Sequence, residues 1–274
     1  MINFFRKIRK KMADDNRPLK PAWPAGRYMR YAVGEIVLVV VGILIALQIN
    51  NWNEEKEKNA KVKVYLENLQ QNLNSDILVL KRLKTINVFK FYAFQYLLDQ
   101  SGHPIFDHKS DELSIFPFEL NSIWKKPYPS KYNPEFIRLG FLWSHRLVNQ
   151  NLDHAALDEF KSTGMYSYLE NIELKSMINS YYTIADQRIG ETTSQNKNEE
   201  IRELWEASLG KEGLLTSSIM TLNDPLDLIR GNLNRMYLIQ RMARESLWIA
   251  QTADDLITQA QNLILIIDKE VLSK

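Results

Sequence analysis

Apolar residues fall along this chain in two different rhythms. From Tyr31 to Trp52 they are almost unbroken, and from Ile36 to Trp52 no charged residue occurs. Beyond Glu54 they thin to one in every three or four: Val62, Leu66, Leu69, Leu73, Ile77 and Leu80 form the stripe of an amphipathic helix. No proline interrupts the chain from Glu54 to Gln100, so this helix is expected to continue directly from the apolar run. Residues 101–133 break the rhythm. Pro104, Pro117, Pro127 and Pro129 forbid a long helix there, while Phe106, Phe118, Trp124 and Tyr128 imply packing against something. Asn133-Pro134 then predicts a helix start with Asn as cap, running to about Asn149, and Asp153 predicts another, ending near Thr163 and Gly164. Leu174, Ile178, Tyr181, Ala185 and Ile189 mark a longer helix. The polar patch Thr192–Asn198 is expected to bend it before Ile201, Leu204 and Trp205 resume and Gly210 ends it. Asp224-Pro225 predicts a last helix reaching Leu272, with Leu233 on its stripe and Gly231 as its weak point. No strand alternation or fixed-period repeat competes with this pattern.

The run Tyr31–Trp52 has the length of a membrane span, about 30 Å at 1.5 Å per residue. In lipid each backbone N–H and C=O must pair within the segment, which leaves helix as its form. Tyr28, Arg30, Tyr31 and Trp52 stand where interface anchors belong. Gly42, Ala46 and Gln48 are candidates for a helix–helix contact in the membrane, with lipid-facing packing as the alternative. Charge supplies an orientation. Residues 1–30 hold nine Lys/Arg against two Asp, a formal +7, and the remainder is −5. The positive-inside rule puts the tail in the cytoplasm and the rest across the membrane. The end of the run, Leu47-Gln48-Ile49-Asn50, lacks the small-residue pattern of a cleavage site, so the segment is expected to stay as a signal anchor. The tail itself sets Phe4, Phe5, Ile8 and Met12 against basic residues, either a short surface helix or a basic coil.

Three stretches resemble a group of single-pass membrane proteins of unknown function from Bacteroidota. They are "INFFRKIRKKM", "GEIVLVVVGILIALQINNWNE" with the following "YLENLQQNLNSDI", and "FKSTGMYSYLENIELKSMINSYY" at Phe160–Tyr182. The resemblance is specific over residues 4–80 and 157–189 and looser in the last helix. This chain departs from it at "PLKPAWPAGR" and at residues 103–134. The resemblance implies a domain of unknown function and carries no catalytic residues.

Composition narrows the chemistry further. The chain has 274 residues, 45% of them hydrophobic, and no cysteine, which excludes disulfides, thiolate metal sites and cysteine nucleophiles. No pair of its four histidines has the i,i+4 spacing of a helical zinc site; His145 and His154, either side of a turn, read as surface residues. Tyr181 and Tyr182 read as one core ring and one rim ring. No nucleotide-binding or hydrolase fingerprint is present. The fold class expected is all-α: a tail (1–30), a transmembrane helix (31–52) and an elongated periplasmic helical bundle (53–274). The expected role is non-enzymatic, without cofactor, metal or nucleic acid. It is an interaction, scaffold or accessory subunit of the inner membrane, with the bilayer and either a protein partner or a second copy as its contacts. Phe118, Trp124 and Tyr128 are the candidate partner contacts, with capping of the bundle's own core as the alternative. A ligand-sensing bundle is the other function considered. Only thirty residues precede the span, so a sensor needs a separate output partner.

Overall fold

The structure is a computed structural model and describes residues 24–144, 146, 151–190 and 194–273. Among these residues every regular element is helical and no strand occurs. The chain divides into two units, Met1–Glu57 and Lys58–Lys274. Helix α1 runs from Pro24 to Gln100 and contributes to both.

In the first unit α1 presents apolar side chains to solvent on all sides, Ile36, Val37, Ile43 and Leu44 among them. At its polar end Asn50 Nδ2 donates to Glu54 Oε1 and the Lys56 ammonium lies 5.7 Å from the Trp52 ring centre.

In the second unit α1 buries the expected stripe, with Val62, Leu66, Leu69, Leu73 and Leu80 fully enclosed. It ends where Gly102 N–H donates to the Asp99 carbonyl and His103 N–H to that of Leu98, a paired closure of the last turn. Helix α2 (Pro134–Ser144) starts as its sequence implies: Asn133 Oδ1 accepts the Phe136 N–H at 3.0 Å. Helix α3 (Ala155–Ser162) opens with Asp153 Oδ1 on the Ala155 N–H at 2.9 Å and stops at Gly164.

Two elements differ from the sequence expectation. The long bent helix is two helices, α4 (Ile172–Arg188) and α5 (Ser194–Gly210). Ile189 and Gly190 N–H groups both turn back to the Ala185 carbonyl. A Cβ on Gly190 would lie 2.6 Å from the Asp186 carbonyl, so only glycine allows this closure. The last helix, α6, covers Leu233–Ser273 and does not begin at Pro225. Asp224 caps a single 3-10 turn over Pro225–Leu228, Gly231 takes a left-handed φ of +71°, and Asn232 Oδ1 caps α6 through the Arg235 N–H. Leu233 then lies at the first exposed position and not on the buried stripe.

Helices α1 and α6 run antiparallel. Gln70 Nε2 meets Asp268 Oδ1 at 2.6 Å, and Lys84 Nζ meets Asp254 Oδ1 at 2.7 Å, fourteen residues later on one helix and fourteen earlier on the other. Two apolar cores line this pair. The first joins residues 62–83 of α1 to α3, α4 and residues 249–267 of α6. The second joins residues 89–98 to Trp124, α2, α5 and residues 238–247. Between them α1 carries a buried Asn87; on α6 the buried Ser246 lies within the run of the second core and the buried Thr252 within that of the first.

Candidate functional site

The apolar segment of α1 is long and apolar enough to cross a membrane. Its most apolar eighteen residues have a mean hydropathy of 2.6, and none of that window is buried. Tyr31 and Trp52 are exposed at its two ends, at 58% and 62%. The side chains of Tyr28 and Arg30, like His145, lie outside the described residues. Gly42 and Ala46 are one turn apart on one exposed face. Gln48 does not join them, because at 100° per residue it points roughly 140° away from that face. The three residues grouped from sequence therefore cannot serve one contact together.

The Pro/aromatic segment packs on the second core. Trp124 is 3% exposed, its ring 5.0 Å from that of Phe136 and its indole N–H 3.0 Å from the Pro127 carbonyl. Asn121 Oδ1 accepts the N–H groups of Ile123 and Trp124, a side-chain turn that fixes the tryptophan. Phe118 is half-buried and Tyr128 partly exposed; each ring lies within 5.4 Å of the other and of α1's Tyr92, at 5.3 Å for Phe118. Burial pushes the Tyr128 hydroxyl well above its ordinary value of 10.0. The expectation of three rings offered together to a partner is narrowed by this packing: Trp124 is inside, Phe118 is half-buried, and Tyr128 is the most exposed of the three.

The densest polar cluster was not singled out in the sequence. Asp76 on α1 is 2% exposed. Its Oδ2 accepts the Tyr181 hydroxyl of α4 at 3.2 Å, and Oδ1 accepts the Asp153 N–H at 3.4 Å. One turn earlier the Asn72 amide donates to the Asp153 carbonyl, so two side chains of α1 hold the N–H and the C=O of one residue just before α3. Burial raises the Asp76 carboxyl from 3.8 to about 6, against the hydrogen bonds from Asp153 and Tyr181, which lower it. Tyr181 and Tyr182 are both buried, not one core and one rim, with ring centres 5.0 Å apart. The Tyr182 hydroxyl is enclosed near Asn72, and its ring lies 4.6 Å from that of His154, whose Nε2 is 3.0 Å from Asp186 Oδ1. The signal was available: Asp76 stands three residues after Leu73 and four before Leu80, on the buried stripe itself.

A second buried ion shares that property. Arg235, 2% exposed on α6, donates to the Ser208 carbonyl at 2.6 Å and the Leu228 carbonyl at 3.2 Å, and pairs with Glu212 at 2.9 Å. It binds the last turns of α5 to the segment preceding α6. Lys90 donates to the Arg146 carbonyl at 2.8 Å, and burial lowers its ammonium to about 8.

Among the described residues no three His, Asp or Glu side chains form a metal-ligand group. His103 and His108 are taken up by carbonyls of Ile229 and Leu113. The arrangement ties helices together.

No curated protein and no solved structure matches the chain. Residues 35–112, from the apolar segment through α1 to the start of the Pro/aromatic stretch, match DUF6090, a family of unknown function.

Proposed function

We propose that the protein is a single-pass inner-membrane protein, with its basic tail in the cytoplasm and residues 53–274 in the periplasm. In this reading it acts without catalysis, as an interaction or accessory subunit of the cell envelope. The observation that carries the reading is the exposure of the Ile36–Ile49 side chains in a protein whose other apolar stripes are closed into two cores. Residues such as Ile36 and Leu44, at 62% and 59% exposure, have no water-soluble reason to stand open over the length of a bilayer. The +7/−5 charge division gives the orientation, and the wider resemblance to single-pass proteins of Bacteroidota supports the single span.

The partner surface in this reading is an apolar group at the start of α6. Leu233 and Tyr237, one turn apart, are 70% and 56% exposed. Ile105 is 54% exposed and follows Pro104, whose carbonyl accepts from Gln240 on the next turn of α6. C-terminal reporter fusions test the topology. Alkaline phosphatase should be active and a cytoplasm-dependent fluorescent protein dark; the reverse result would remove the exported domain from the proposal. Photo-crosslinking from position 237 in native membranes should give a discrete adduct that position 265, also exposed, does not.

A further inference from the structure

The seam between the two cores is open on one side, and a segment hydrogen-bonded to both helices covers the opening. Residues 114–121 lie across α1 and α6 there. The Phe116 carbonyl accepts the Tyr92 hydroxyl of α1 at 2.8 Å, and the Ser114 N–H donates to Gln251 of α6 at 3.3 Å. Between this cover and the helices is a cavity of about 350 Å³, within the range of small-molecule sites. Val88 and Ile257 supply its apolar floor and Phe116 and Pro117 its apolar wall.

Four charged groups line the same cavity, two of each sign. Lys84 points in from α1 with its ammonium 2.7 Å from Asp254 Oδ1 and 4.2 Å from the centre of the Phe116 ring. Lys81 on the preceding turn and Glu119 on the cover are exposed, and neither side chain has a hydrogen bond or ion pair with a described residue. The remaining polar lining is spent. Thr85 donates to the Lys81 carbonyl, and Asn121 is consumed in the turn that holds Trp124.

We propose that this cavity binds a small zwitterion of amino-acid size. Its carboxylate lies between Lys81 and Lys84, its ammonium meets Asp254 and Glu119, and its apolar part rests on Phe116 and Val88. A simple anion would face two carboxylates, and a simple cation two lysines. An uncharged apolar molecule would cover charged groups without replacing their water. Only a ligand carrying both charges answers every group, and it would exchange the Lys84–Asp254 pair for two pairs of its own. Such a ligand touches α1, α6 and the cover at once, so binding raises the stability of the whole domain. The inference is independent of the membrane segment.

The experiment is calorimetric titration and thermal unfolding of the full chain in detergent micelles. The probes are L-leucine and L-phenylalanine at about 10 mM. The controls are 4-methylpentanoate, which lacks the ammonium, and 3-methylbutylamine, which lacks the carboxylate. At least one amino acid should raise the melting temperature by about 2 °C or more, with both controls weaker by roughly tenfold, since each lacks one charged contact. Lys81→Ala and Glu119→Ala should each weaken binding by about tenfold. Their melting temperatures without ligand report folding, and as exposed positions they are expected to match the native value. Absence of heat and of a thermal shift with both amino acids would overturn the proposal. Binding unchanged in both variants would place the ligand elsewhere and also overturn it. A control that binds as well as its amino acid would show a singly charged ligand and refute the zwitterion.

Discussion

Asp76→Asn removes the charge of the buried carboxyl while keeping its shape. The amide oxygen can still accept the Asp153 N–H, and the amide nitrogen can donate to the Tyr181 oxygen. In the native protein burial raises this carboxyl from 3.8 to about 6, so the folded state holds its proton more tightly than the unfolded chain. The stability contributed by the group is fully present below about pH 3.8 and is lost as the pH rises through about 6. At ~1.4 kcal/mol per pKa unit the whole span is about 3 kcal/mol, and roughly half of it falls between pH 5 and pH 7.5. For a chain of this size that half corresponds to a melting shift of about 2–4 °C. The assay is thermal unfolding of the full chain in micelles, followed by near-ultraviolet circular dichroism at both pH values. Native protein should gain about that much more than Asp76→Asn on going from pH 7.5 to pH 5. Subtracting the variant cancels groups remote from the carboxyl; Asp153 and His154 face it from the start of α3 and belong to the same cluster. Parallel pH profiles for the two proteins would refute the assignment of a buried, charge-averse carboxyl to this position.

Two further substitutions test the second core. Trp124→Ala should lower stability by about 3–5 kcal/mol, read by urea unfolding, because the ring is enclosed against Phe136; unchanged stability would return the ring to the surface. Arg235→Ala leaves the Ser208 and Leu228 carbonyls without their donor and should also cost about 3–5 kcal/mol, whereas a loss below about 1 kcal/mol would show that water replaces the guanidinium.

The helices of this protein were legible because a 3.6-residue stripe is a local property. Val62 to Leu80 form one face whatever packs on it, and Asn133-Pro134 is a helix start in any surroundings. The misreadings arose where local chemistry permits two outcomes. Asp224-Pro225 opens an α-helix or a single 3-10 turn equally well, and the choice was made six residues later by Gly231 and Asn232. The polar patch 192–198 points to a bend there, yet the break starts at Gly190, where the chain closes back on Ala185. Trp124, Phe118 and Tyr128 looked alike in sequence because nothing local tells a ring on the core from a ring at its edge; Phe136, the ring that encloses Trp124, comes from another element.

The polar sites were legible in principle, but through exceptions to the stripe and not through motifs. Asp76, Asn87 and Arg235 each occupy a position that the helical period assigns to the interior. A charged or amide group in that register must find partners or stay neutral, since an unpaired buried polar group costs roughly 1–3 kcal/mol. In this protein Asp76 finds α3 and α4, and Arg235 finds the end of α5. Asn87 turns back on its own helix, to the Leu83 carbonyl, and draws in no other element. It marks the place on α1 where the first core ends and the second begins. The cavity under the cover lies at this seam, between Val88 of α1 and Ile257 of α6. Filling it would act on both cores together, because α1 and α6 run through each.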